Sequence, residues 1–390
     1  MFKKSLPLAL GAAGLILTHI VMAMYAAIIC LIYVLINIKQ LKNKKVLIML
    51  GINLLLIILL TAFYIFPLLE HKIGTNYEVF QDGRIERTSE LIRNKVDIWD
   101  LLYTKKGELS FEIGLVTLIG LVFTLLAYKK IGKEYKKIYW FSLIIGLSCI
   151  VMSLRFFPFE KSPPILKMIQ FTFRLLEFAS YFLIFVVSIN YSLVIKNFRL
   201  RDVLVLGLIA VLIVIPLKKN LDFEKVWTED KLWPAVRVSE NTGRVHAGCA
   251  TFEYLPSKAF KNLDYIKNRE NTVIIIKGKA TISNEIKEGT NMSFQIENVT
   301  ANTEIELPYI YYLGYDVTVE KTNGEKQKID TYESERGFVQ ISLSQGISGK
   351  IEIKYTGTTI MKISYIVSIV TFVGLISILI LQAIFRYIQK

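Results

Sequence analysis

Cysteine, histidine and proline are all scarce in this chain of 390 residues, which has three, three and nine of them. Cys30 and Cys149 fall within apolar runs and Cys249 in a polar block, so no disulfide framework can be drawn. His19, His71 and His246 are far apart in sequence and show no metal-ligand spacing, which argues against a zinc site. No GxSxG elbow, GxxxxGK phosphate loop, dinucleotide fingerprint or HExxH helix occurs anywhere. Paired carboxylates are confined to charge-balanced loops. The soluble hydrolase, nucleotide-binding and metalloprotease classes are therefore without support.

What the chain has in quantity is apolar sequence. Hydrophobic residues make up 53% of it, too many for an ordinary soluble enzyme. Runs long enough to cross a hydrocarbon core of roughly 30 Å are expected at 46–67, 111–128, 138–157, 175–195, 203–217 and 362–385. The opening run from Ser5 to Asn37 is too long for one simple crossing. Its polar Thr18 and His19 mark a break, with a short helix running up to them and a longer one down. A single tilted helix with its N-terminus outside is the alternative. A secretory signal peptide is disfavoured, because the apolar run continues past the small residues near Ala23.

The fold expected is thus a membrane α-helical bundle of about eight spans, with an extracytoplasmic β-sandwich or jelly roll inserted before the last. Residues 1–217 are the helical domain, 218–360 the outer, mainly-β domain, and 361–390 the closing helix with a short tail. Lysines 129, 130, 133, 136 and 137, then Lys196, Arg199 and Arg201, then Arg386 and Lys390, follow successive spans. The positive-inside rule places them in the cytoplasm, with both termini inside and residues 218–360 outside a bacterial cell membrane.

The formal net charge of +14 does not indicate nucleic acid. Block 218–360 holds 19 basic against 20 acidic residues, so the excess lies in cytoplasmic loops that meet membrane lipids. The mixed charges of loop 70–110 make a solvated face its default reading; the alternative over Gly83 to Leu102 is a short amphipathic helix on the membrane surface, with Ile85, Leu91, Ile98 and Trp99 partly inward. Eight alternating segments are expected as strands: 272–276, 280–286, 292–299, 304–311, 316–320, 327–331, 338–343 and 350–355. Asn323-Gly324 and Glu288-Gly289 are among the turns between them. Tyr309, Tyr311, Tyr312 and Tyr315 suit core and interface packing better than sugar stacking.

Arg174 and Glu177, three residues apart at the mouth of a span, share a helix face. The alternatives for Arg174 are to snorkel to head groups or to line a phosphate pocket. Glu253, Tyr254, Leu255 and Pro256 are expected to fasten the outer domain to the membrane part, with Tyr254 and Leu255 buried.

Several phrases resemble one family. They are Leu8 to Ile20 (LALGAAGLILTHI), Phe66-Pro67-Leu-Leu-Glu70-His71, Gln170-Phe-Thr-Phe-Arg174, Glu253-Tyr-Leu-Pro256, Leu307 to Tyr315 (LPYIYYLGY), Gly337-Phe-Val and Lys354-Tyr-Thr-Gly-Thr358. Together they are similar to the bacterial 6-pyruvoyl-tetrahydropterin synthase-related membrane proteins, close to the YfhO-like family, in its C-terminal part. The soluble enzyme activity in that name does not carry over, because the histidine triad it needs is absent here. The resemblance implies a GT-C-type glycosyltransferase that takes sugar from a polyprenyl-phosphate donor in cell-envelope glycosylation. It further implies that His19, Glu70, His71, Gln170 and Arg174, with Glu177 beside it, face one outer cavity, Arg174 taking the lipid phosphate. The family's acid lies in a first outer loop for which this chain has no counterpart. A partner polypeptide carrying the preceding spans, and any divalent metal with it, would then be supplied from elsewhere. The alternative is a non-catalytic envelope protein whose β domain binds a partner or a glycan.

Overall fold

The computed structural model describes residues 2–80, 96–102, 113–169, 171–195, 207 and 254–388. Its principal helices are α1 (Phe2–Thr18), α2 (Ile20–Ile36), α3 (Lys44–Leu60), α4 (Ala62–Gly74), α5 (Leu115–Val122), α6 (Thr124–Ala127), α7 (Lys133–Ser153), α8 (Leu175–Val194), α9 (Ser257–Lys261), α10 (Leu263–Asn268) and α11 (Thr359–Ile388). Nine strands, β1 (Ile274–Lys277) to β9 (Gly349–Tyr355), lie between α10 and α11. The chain divides into two compact units. One comprises Met1–Ala23, Ile38–Arg84 and Ser239–Lys390, the other Met24–Asn37 and Ile85–Val238.

Among the described residues three helices are long and apolar enough to cross a membrane, α7, α8 with the turn before it, and α11. A fourth is added if α3 and α4 count as one span bent by 72°. α1, α2 and the stretch 116–127 are shorter apolar helices, and the run 203–217 lies outside the described residues apart from Gly207. The structure therefore contains apolar helices suited to a membrane, but eight separate full-length crossings do not emerge from it.

Local hydrogen bonding explains the interruptions. His19 alone separates α1 from α2, and its Nδ1 accepts the Met22 backbone N–H at 3.4 Å, in the manner of an N-cap. The His19 N–H reaches Leu15 O at 2.9 Å and the Ala23 N–H reaches His19 O at 3.0 Å. The break expected at Thr18-His19 is therefore present and is one residue long, with α1 ending on the His19 N–H and α2 starting on the His19 carbonyl. At Thr61 the hydroxyl donates back to Ile57 O at 2.7 Å, a contact that bends helices.

In the unit that includes residues 113–195, α7 and α8 meet closely. A Cβ on Gly146 would come within 2.7 Å of Leu183, and one on Gly120 of α5 within 2.2 Å of Val187. Buried Asn190 donates from Nδ2 to Gly120 O (2.9 Å) and Thr124 Oγ1 (3.0 Å), and its Oδ1 accepts from Tyr139 (2.8 Å). Such interhelical polar contacts satisfy groups that hydrocarbon cannot. In the same unit Tyr25 donates to Leu166 O, and Tyr33 meets Phe141 edge-on at 5.0 Å. Arg155 pairs with Asp97 at 3.0 Å. Of the stretch 83–102, residues 83–95 lie outside the described residues. Ile98–Leu101 is a single 3-10 turn, with Ile98 and Trp99 exposed.

The strands form two antiparallel sheets, ordered β1-β4-β8-β7 and β2-β3-β9-β5-β6. Alternating inward residues of both, among them Phe294, Ile305, Leu307, Val317, Ile341 and Ile353, make one core. The expected strand 327–331 is two strands instead, β6 (Lys326–Ile329) and β7 (Thr331–Glu333), because the chain changes sheets at Asp330. α9 and α10 cover the outer face of the four-stranded sheet around Phe338. There a fully buried ion pair, Arg269 Nε to Glu306 Oε1 at 3.0 Å, is completed by Tyr265 and Ser334. Tyr309 and Tyr315 pack ring to ring (5.2 Å), and Tyr315 packs on Tyr355 (5.1 Å).

Candidate functional site

The unit that carries the sandwich has two places where polar chemistry and apolar helices suited to a membrane meet. The first is the break between α3 and α4. A helix end inside a hydrocarbon layer leaves backbone groups that water cannot reach. Ser368 of α11 supplies partners for two of them at once: its hydroxyl donates to Leu59 O at 2.9 Å and accepts the Phe63 N–H at 3.1 Å. One side chain thus repairs both sides of the bend.

The second place is the end of α4, where the chain meets the base of the sandwich. Residues 76–78 pair with 254–257: Tyr77 bridges Pro256, the Glu78 N–H donates to Leu255 O (2.9 Å), and the Ser257 N–H donates to Asn76 O (2.7 Å). Tyr77 stacks on Tyr312 at 6.1 Å and shares a 2.6 Å hydrogen bond with His71 Nδ1. Burial pushes the Tyr77 phenol up to about 12, so it stays protonated at neutral pH. Glu70 Oε2 accepts from Thr358 Oγ1 at 2.5 Å, and the same hydroxyl accepts the Met361 N–H at 3.1 Å. Thr358 is therefore the N-cap of α11, and the Glu70 carboxylate lies where the helix dipole favours a negative charge. A side chain on Gly74 would meet Leu313 at 2.8 Å, so the sandwich and α4 are in close contact.

The expected site residues distribute as follows. His19 caps α2, while Glu70 and His71 are both engaged in the joint just described. Leu255 is buried and Pro256 is bridged, but Tyr254 is 66% exposed. Only its carbonyl is held, accepting from Tyr312 at 3.1 Å, which corrects the expectation that its ring is buried. Gln170 and Glu253 lie outside the described residues. Arg174, in the other unit, donates from a guanidinium nitrogen to Ile169 O at 3.1 Å and lies 4.8 Å over the Phe171 ring. Glu177 follows in the first turn of α8, exposed. Sequence reasoning missed Ser368, Thr358 and Tyr77. A threonine just before a helix is a readable N-cap signal for Thr358, but nothing local marks Ser368 or the stacking of Tyr77, whose partners Leu59, Phe63 and Tyr312 lie far off in the chain.

Among the described residues no group of three or more histidine, cysteine or carboxylate side chains is placed to hold a metal ion. In chemical terms the joint offers a capped helix N-terminus, a carboxylate, an imidazole and stacked phenols, all partnered within the protein.

No family model matches this chain. A stretch of 128 residues, 31% of the chain, is 29% identical to a protein of Lactococcus lactis subsp. cremoris (strain MG1363) described as an uncharacterized protein. That stretch is 21% of the relative, so the chain spans about a fifth of the length of the protein it matches.

Proposed function

We propose that these residues belong to a GT-C-like membrane glycosyltransferase of the bacterial envelope, working from a polyprenyl-phosphate-linked sugar. In this reading their part is to hold an extracytoplasmic sandwich firmly against membrane helices. The observation that supports it best is the joint: the sandwich runs directly into α11 and is tied to α4 through Glu70–Thr358 and Tyr77–Tyr312. The reaction is attack of an acceptor hydroxyl on the anomeric carbon, with the carbon–oxygen bond to the lipid phosphate breaking. Arg174 takes the departing phosphate through its planar fork, and the base that removes the acceptor proton comes from outside the described residues.

The basic loops set the orientation in this proposal, with 38–45, 129–137 and 196–201 cytoplasmic and 218–360 outside. Residues 2–36, broken at His19, make a short helix out and a longer one back in this reading, so the crossings number eight with both termini inside; a single tilted crossing with the N-terminus outside is the alternative.

A second reading is a non-catalytic, membrane-anchored envelope protein whose sandwich binds a partner or glycan. It is favoured by one observation: Glu70 and His71, the carboxylate and imidazole at the joint, both serve structural bonds. Arg174→Ala, expressed in the native host, separates the two. Loss of an envelope sugar at unchanged protein level supports the transferase, and an unchanged envelope sinks it in favour of the anchor.

A further inference from the structure

Beside the repaired break lies a groove of about 360 Å³, in the same unit as the sandwich. Gly14 and Leu17 of α1, Phe63 of α4, and Tyr365, Ile369 and Phe372 of α11 line it. Its space is more than twice the roughly 150 Å³ of an engineered apolar cavity that takes a benzene. Gly14 opens the floor, since a Cβ built there would meet no atom within 4 Å. Water has little to hold it: a buried water needs two to four polar partners, and the Ser368 hydroxyl is already committed to Leu59 O and Phe63 N–H. The Tyr365 hydroxyl is the other polar group, and it makes no hydrogen bond among the described residues.

Depth identifies the occupant. Tyr365 and Phe372 lie roughly 9 and 20 Å along α11 from Thr359, at 1.5 Å per residue, within a hydrocarbon layer of roughly 30 Å. Phe63, Ile369 and Phe372 are each between 41% and 55% exposed, so the groove opens sideways into that layer. We infer that this groove binds the acyl chain of an outer-leaflet phospholipid, the Tyr365 hydroxyl donating to the ester or phosphate oxygens at its polar end. The chain fills the space that the 72° bend at Thr61 leaves between α1, α4 and α11. This binding rests on the orientation proposed above but not on the transfer reaction, and its test reads no sugar.

The full chain is to be purified from its own membranes in mild detergent and examined by native mass spectrometry. Wild type is expected to retain one phospholipid. Gly14→Leu, whose Cβ would meet no atom within 4 Å and whose longer side chain reaches into the groove, loses it with a nearly unchanged thermal midpoint. Tyr365→Phe lowers retention about fivefold, as for one lost hydrogen bond. As a readout that needs no variant, a phosphatidylglycerol with a mid-chain diazirine is to be photolysed in nanodiscs holding the wild type, and expected to label peptides containing Gly14 or Phe372. Equal retention by Gly14→Leu overturns the inference. So does labelling confined to other helices, an isoprenoid lipid in place of the phospholipid, or a dimer that covers the groove.

Discussion

Ser368 shows how much one side chain carries when no water is at hand. Replacing it with alanine strands the Phe63 N–H and the Leu59 carbonyl at the bend, a cost of about 1–3 kcal/mol for an unsatisfied buried group. Ser368→Ala is therefore expected to lower the thermal midpoint in detergent, whereas Ser377→Ala, which loses only a bond within its own helix, leaves it nearly unchanged. Lys287 makes a second residue-scale prediction. Its ammonium donates to Pro308 O at 2.9 Å and to Asn271, over the Tyr309 ring. Burial, with Arg269 nearby, pushes this amine down to about 8 from the usual 10.5. The folded state thus releases the proton first, and the penalty, complete below about pH 8, is relieved as pH rises towards 10.5. Wild type should gain stability relative to Lys287→Met across that interval, followed by chemical unfolding. A parallel pH dependence of the two proteins would contradict it. Neither role was legible beforehand: a serine in a span and a lysine in a strand are ordinary in sequence, and their importance comes from partners on other elements of the fold.

At the scale of elements, apolar runs and alternation carried most of the information. The strand over Phe338–Leu343 has the same bounds in sequence and structure, and the final helix extends the expected 362–385 by three residues at each end. The misreadings occur where tertiary partners change a path. The apolar run 46–67 falls on two helices bent by 72° at Thr61, a bend the sequence did not announce and whose free groups Ser368 satisfies. Residues 327–331 split because each half finds neighbours in a different sheet. Close helix contact provides the test at this scale. Gly120→Ala puts a methyl 2.2 Å from Val187 and strains the Asn190 bond to Gly120 O, costing about 1–3 kcal/mol by overpacking. Gly132→Ala, whose added methyl would lie 3.7 Å from Tyr135, serves as the comparison and is expected to unfold near the wild-type midpoint.

For the whole molecule the deciding prediction is topological. In a cysteine-free background, Ser344→Cys in the exposed β8–β9 turn is expected to react with an impermeant maleimide on intact cells. Lys133→Cys should react only after permeabilisation. Ser5→Cys distinguishes eight crossings from seven: protection supports the hairpin at His19, and labelling from outside overturns it in favour of a single tilted crossing. The joint at the end of α4 also belongs to this scale, since it unites segments near residues 70–78, 254–257, 312–314 and 356–361.

The chain's apolar content, its basic loops and its period-two segments were enough to determine a membrane-associated helical part and a β domain, because burial and alternation are local and repeat along the sequence. The joint, the repaired bend and the groove beside it were decided only by tertiary structure. Each depends on a hydroxyl or a ring meeting a partner hundreds of residues away, or on a glycine that leaves space open between helices distant in the chain, and no local pattern records such a meeting.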